Sequence, residues 1–372
     1  MRPLTPLQQA FLALLRYSIG AASQPPKPPK NPTAWAALFA MAQQQALSAV
    51  LLQGISRLPH DYPTPPPAPI LIQWVAEAQT VRAMNEKHFR QAWQVQERLR
   101  QDGFLTCILK GQGNARLYPD PYTRSPGDID IWLSGGRKRI ITYADRLYPG
   151  QVVRYHHVDL PLLPDTPVEA HFTPSFMHAP WHNRRLQQWF AQQADEQFYH
   201  HVPWPGADGQ TVAVPTTSFN AVFILSHLLH HVFTEGIGLR QLLDYYFVLT
   251  HPLMTPSTRA EAMNIIRHTG MAHFCAAIMH VLERALHLPA EAMLCEPDPR
   301  EGERLLSEVM RGGNFGMYDD SLGRKQGQGW LRRNLRMELR NAGLLLRYPA
   351  EVLCEPFFRG SILLRRKLTG RK

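Results

Sequence analysis

The chain has 372 residues, enough for two or three compact units, and 44% of them are apolar, so a sizeable core can be buried. No apolar run approaches the ~18 residues of a membrane-spanning helix, and four scattered cysteines (Cys107, Cys275, Cys295 and Cys354) show neither zinc-ligand spacing nor a disulfide framework. The formal charge is +10, but 13 Lys and Arg against 3 Asp and Glu fall in residues 324–372; the rest holds 27 of each, so the basic excess belongs to the C-terminal tail.

The first twenty residues carry Leu7, Phe11, Leu14 and Leu15 at helical spacing, which predicts an amphipathic helix and not a signal peptide. With no leader and no disulfides, a reducing cytoplasm is expected. Proline clusters at 24–32 and 59–69 resist helix and strand and read as connectors. A helix is expected between them, over residues 34–58. A second long one is expected from residue 70 to about 101, closed by Asp102-Gly103.

The texture then changes. Residues 104–109 form a short apolar run bounded by glycines, the mark of a buried strand. Residues 128–133 alternate polar with apolar, the period of a half-buried strand. A helix is expected over 137–147, then strands over 152–160 and 168–172. From Trp181 onward the pattern is helical, interrupted by a glycine-rich loop at 311–329. The expected fold class is therefore α+β: a small mixed sheet flanked by helical regions. Its parts are a helical N-terminal region (1–95), a catalytic core (96–180) and a helical C-terminal domain (181–372).

On a strand, alternate side chains share a face, so Asp128 and Asp130 point the same way while Ile129, Ile131 and Leu133 anchor the other. Two carboxylates that close are unfavourable unless a cation lies between them. A second alternating strand puts Glu169 and His171 on one face. Three carboxylates can hold Mg²⁺, which prefers hard oxygen ligands, and two such cations stabilise in-line displacement at phosphorus. Lys110 and Gly111 end the preceding strand. Glycine admits close backbone approach to a phosphate, and Lys110 and Arg124 can neutralise phosphate charge. A dinucleotide fingerprint is excluded despite Gly111-Gln112-Gly113: Arg116 stands where a third glycine belongs, and Pro119, Pro121 and Pro126 bar a continuous crossover helix.

Further residues admit two readings. His156 and His157 fall near the acidic face. His171 can orient a carboxylate, contact a phosphate or simply pack. His227, His230 and His231 sit at i, i+3 and i+4, a spacing that can suit metal ligation on a helix, but with no fourth ligand or HExxH pattern the preferred reading is structural. Arg240 and Asp244 read as a helix-stabilising ion pair, with Asp244 facing a site as the alternative. Leu331, Leu335 and Leu339, with Arg332, Arg336 and Arg340 one position on, form an amphipathic basic helix suited to a solvated face, to nucleic acid or another anionic acceptor, or to an acidic membrane surface.

The run LKGQGNARLYPDPYTRSPGDIDIWL (109–133) resembles the signature of the uncharacterised nucleotidyltransferase family. YHHVDL (155–160), VEAHFTPSFMHAPWHNRRLQQWF (168–190), the stretch 218–246 and GGNFGMYDD (312–320) agree with it, so the resemblance covers roughly residues 30–360. It implies a polymerase-beta-like nucleotidyltransferase core, with Asp128, Asp130 and Glu169 as catalytic and metal-binding carboxylates and Mg²⁺ as cofactor. The nucleotide would be met by Lys110, Gly111, Gln112, Arg124 and His171. The implied reaction moves a nucleoside monophosphate from an NTP to an acceptor such as a sugar, protein or RNA. One departure stands out: Gln112 follows Gly111 where the superfamily usually has glycine or serine, so a serine hydroxyl donor is missing and the backbone amide of Gln112 is its substitute. The rival expectation is a catalytically degenerate protein that binds nucleotide or nucleic acid.

Overall fold

A computed structural model of the chain describes residues 3–29, 31–207, 209–318 and 339–369. Four helices come first: α1 (Pro6–Ser18), α2 (Thr33–Gln44), α3 (Ser48–Ile55) and α4 (Ala68–Gln101). α1 starts where the sequence can satisfy its free amides: the Thr5 side chain accepts from Gln8 N–H and the Gln8 side chain accepts from Thr5 N–H. The helix expected over 34–58 is in fact two. It breaks at Ala46, whose φ is +55°, because Gln45 turns inward, donating to the Val309 carbonyl and accepting from Leu239 N–H.

The sheet follows: β1 (Thr106–Leu109), β2 (Ile129–Leu133), β3 (His157–Asp159) and β4 (Val168–His171), with a short α5 (Gly111–Ala115) after β1 and α6 (Gly136–Leu147) after β2. The strand order is β1-β2-β4-β3; β2 and β4 are parallel and the outer pairings antiparallel, so the sheet is mixed as expected. The strand expected over 152–160 is shorter, with only a single bridge, Val153 to Val158, upstream of it.

Beyond the sheet lie α7 (Pro180–Tyr199), α8 (Thr217–Thr234), α9 (Leu239–Leu249), α10 (Pro256–His268), α11 (Ala272–Leu286), α12 (Pro299–Gly312) and α13 (Pro349–Thr369). The expectation of unbroken helix after Trp181 is corrected by a hairpin, β5 (His201–Pro203) with β6 (Thr211–Ala213). The predicted basic helix with Leu331, Leu335, Arg332 and Arg336 lies outside the described residues; Leu339 and Arg340 lie inside them.

Two apolar cores meet at the sheet. Ile129, Ile131 and Leu133 join Val158, Val168 and Ala170 against Phe89, Val95 and Leu99 of α4 and Ile140 of α6. On the other face Leu109 and Trp132 belong to a larger core that unites α1–α3 with α8–α12, and Arg16 of α1 donates to the Ala285 carbonyl of α11. The helices before and after the sheet therefore share one interior.

Candidate active site

Strand alternation carries the polar face. Asp130 and Glu169 stand opposite one another in register on the parallel strands β2 and β4, and Asp159 stands opposite Glu169 on β3. Three carboxylates thus cross three strands on one face, while their sequence neighbours fill the core behind. Asp159 was not singled out from the sequence. Its neighbour His157 was, and the antiparallel register could not be read from either.

Asp130 is 2% exposed and holds two partners on one oxygen: Lys110 Nζ lies 2.9 Å from Oδ1 and His171 Nε2 lies 2.8 Å from it. Burial alone would favour its neutral form, but Lys110 and the His171 hydrogen bond outweigh that and hold the carboxyl well below its usual range. Burial works against the charged forms of both partners too, yet the carboxylates prevail: Lys110 is raised by Asp130, Asp128 and Glu169, and His171 by its hydrogen bonds to Asp130 and Glu169. Glu169 Oε2 is 3.2 Å from His157 Nδ1 and 3.6 Å from His171 Nε2. Asp128 precedes β2 and is exposed at the rim, where the charge of Asp130, helped by desolvation, pushes it up to about 6.

Lys110 and Gly111 make the turn out of β1 with positive φ at both positions, +43° and +37°. An added Cβ at Gly111 would stand at contact distance, 3.4 Å, from the Asp128 carbonyl, so it is the positive φ rather than crowding that calls for glycine here. For Lys110 the conformation is strained, and the ion pair to Asp130 and a 3.3 Å contact with His227 Nε2 fix where its ammonium goes.

A cavity of about 690 Å³ separates this face from α8 and α9. Of the residues expected at a nucleotide, Lys110, Gly111 and Arg124 line it with Asp128, Asp130 and Glu169; Gln112 and His171 do not. Gln112 is buried inside α5 near the Asn85 side chain, and the cavity is lined instead by Asn114, which no sequence pattern marked. His171 is fully buried behind Asp130 and orients that carboxylate.

The far wall is cationic and imidazole-rich. His227, His230 and His231, read as structural, all line the cavity. His227 Nε2 is 2.9 Å from His231 Nε2, and His231 Nδ1 is 3.4 Å from Glu235. Burial first, then neighbouring cations and imidazoles, pushes His156, His227 and His230 well below the usual histidine range, so these rings are neutral at pH 7. The expected Arg240–Asp244 pair is corrected. Both Asp244 oxygens accept from Arg124, each at 2.8 Å, and Tyr118 Oη donates to one of them at 2.7 Å. Arg240 instead donates to the Asn314 side chain and the Ser125 carbonyl and lies over the Phe315 ring. Its burial, followed by the nearby Arg124, lowers it to about 10.

The donor chemistry fits a hard divalent cation. Asp128, Asp130 and Glu169 offer oxygens at one mouth, and the repulsion that raises Asp128 is what a cation would relieve. Asp130, Glu169 and His171 bring one donor atom each within 4.8 Å of one another, as do His157, Asp159 and Glu169, and His156, His157 and His171; Asp128 joins none of these groups. Among the described residues no helix is long and apolar enough to cross a membrane. All four cysteines are free.

The profile of a family described as uncharacterised nucleotidyltransferase matches residues 31–287, from α2 to the end of α11. The match stops short of residue 360, the limit expected from the sequence, and leaves α12 and α13 outside it. No curated protein matches the chain.

Proposed function

The chain belongs to the uncharacterised nucleotidyltransferase family, and from that premise we propose that it transfers a nucleoside monophosphate from an NTP to an acceptor hydroxyl of a sugar, protein or RNA, with Mg²⁺ at Asp128, Asp130 and Glu169. The observation that carries this reading is the in-register pairing of Asp130 and Glu169 on parallel strands, facing a cavity large enough for a nucleotide.

Mg²⁺ bound there supplies charge neutralisation of phosphate oxygens and acidifies the acceptor hydroxyl. The chain's own groups do the rest. Lys110 and His171 keep Asp130 ionised and fixed, so the site needs little rearrangement as charge develops. Glu169, half-buried and at the cavity wall, is positioned to take the acceptor proton. Arg240, whose neighbour Asp244 is already engaged by Arg124, faces the same space and is placed to meet phosphate oxygens. The missing serine hydroxyl of the phosphate turn is offset by Lys110 and Arg240.

The test is pyrophosphate release from each of the four NTPs with Mg²⁺ and a panel of sugar, protein and RNA acceptors. Wild type should release pyrophosphate with one nucleotide preferred, and Asp130→Asn should not. Release that survives the substitution, or that is unaffected by chelation of the metal, would overturn the reading.

A further inference from the structure

Among the described residues, the contacts that anchor helix α13 lie along one face. Glu351 accepts from the backbone N–H groups of His178 and Ala179, Glu355 is buried, and the Phe358 ring stacks on Phe176 at 5.0 Å and 14°. Residues 351, 355 and 358 define the inner face of a helix with 3.6 residues per turn. On that spacing Leu353, Phe357 and Leu364 fall within an arc of about 40° on the opposite side. They are 58%, 80% and 59% exposed, and Gly360 between them has open space around it. Leu346, in the turn leading to the helix, is 98% exposed. Exposed leucines scattered singly are ordinary; a leucine–phenylalanine–leucine stripe along one face of a well-anchored helix is an interaction surface.

Charge identifies the occupant. After Glu355 the sequence holds no acidic residue, and Arg365, Arg366, Lys367, Arg371 and Lys372 follow the stripe. A second copy of the chain would bring the same positive excess, which opposes self-association through this face. Nucleic acid would satisfy the cations but leave Leu353, Phe357 and Leu364 in water. A bilayer rich in anionic phospholipid satisfies both, taking the apolar stripe at the headgroup–acyl boundary and the cations at the phosphates. The helix is not apolar enough to cross the bilayer, so it would lie on its surface. We propose that α13 is a peripheral docking helix for anionic phospholipid membranes. Its inner face backs the histidine wall of the cavity, since Phe176, on which Phe358 stacks, also contacts the His230 ring at 4.4 Å.

The experiment is co-sedimentation of the full chain with sucrose-loaded vesicles of phosphatidylcholine alone or with one third phosphatidylglycerol. The variants are Phe357→Glu and Leu353→Glu, and thermal unfolding confirms that each is folded. Wild type should pellet with anionic vesicles and hardly with neutral ones, more weakly as salt rises. Each variant should lower partitioning roughly tenfold or more, because a large apolar side chain is lost from the bilayer and an acid is set against its charge. Equal partitioning of wild type and both folded variants would overturn the proposal. So would absence of anionic preference, concentration-dependent self-association abolished by Phe357→Glu without vesicle binding, or RNA binding that displaces the protein from vesicles and ignores both variants.

Discussion

The two faces of the sheet use the same strands for opposite ends. On the α4 side Ile129, Ile131, Val168 and Ala170 are closed in an apolar core; on the cavity side their neighbours Asp130, Glu169 and His171 crowd charges and imidazoles together. The first face accounts for folding. The second works against it unless each charge finds a partner, and the partners are what distinguish its members. Asp130 is paired directly by Lys110 and His171, whereas at Asp128 the repulsion from Asp130 and desolvation outweigh the more distant Lys110 and push it up to about 6. A pair of aspartates two residues apart is thus two different groups, one buried and doubly paired, the other at the cavity rim and raised by its neighbour.

The largest expected effect sits where the faces are hardest to separate. Asp130→Asn should lower nucleotidyl transfer by about 10³-fold, through lost electrostatic stabilisation at phosphorus. It should also lower stability by roughly 3 kcal/mol, because Lys110 and His171 lose their shared anion in a buried setting. From the sequence alone, two like charges side by side suggest that removing one would leave stability unchanged or raise it. The buried Lys110 reverses that expectation. Paired chemical unfolding and pyrophosphate assays measure both quantities. A second substitution separates the faces cleanly: Ile131→Ala should cost about 3 kcal/mol of stability by opening the core, with kcat per folded molecule unchanged.

The smallest effect concerns Asp128. Its folded value of about 6 lies above the ~3.9 of an unfolded aspartate, so between these pH values the folded chain holds the proton more tightly. In metal-free protein that contribution to stability is present at the acid end and is lost as pH rises through 6. Asp128→Asn should flatten this segment of the stability profile and raise stability at pH 7.5, where the wild-type carboxylate is held charged against its neighbour. Mg²⁺ affinity of the wild type should run the other way, climbing as pH rises through 6. A melting-temperature series with and without Mg²⁺ distinguishes the two slopes.

How much of this was legible follows from range along the chain. The alternation of Asp128-Ile129-Asp130-Ile131 announces a two-faced strand, and the sequence reading brought Asp130 and Glu169 to a common face. Asp159 and the histidine wall escaped because their placement depends on strand register and on α8 folding back from some sixty residues away. Arg240 and Asp244 misled for the opposite reason: an i, i+4 spacing is a local rule, and a better-aimed guanidinium, that of Arg124, arrived from outside the helix. The β5–β6 hairpin is three residues a side with Pro203 in one strand, too short for a period-2 pattern to show. The outward stripe of α13 was equally hidden, since apolar spacing alone does not say which apolar residues a helix buries.

The claim that the polar face is a cation site is tested most directly by binding of Mn²⁺, a spectroscopic stand-in for Mg²⁺, followed by electron paramagnetic resonance at pH 7.5 on wild type and Glu169→Gln. Glu169 is half-buried and outside both apolar cores, so the variant should melt like wild type. The account predicts saturable Mn²⁺ binding by the wild type and its loss or severe weakening in the folded variant. Undiminished binding by Glu169→Gln, or no saturable binding by the wild type, would contradict it.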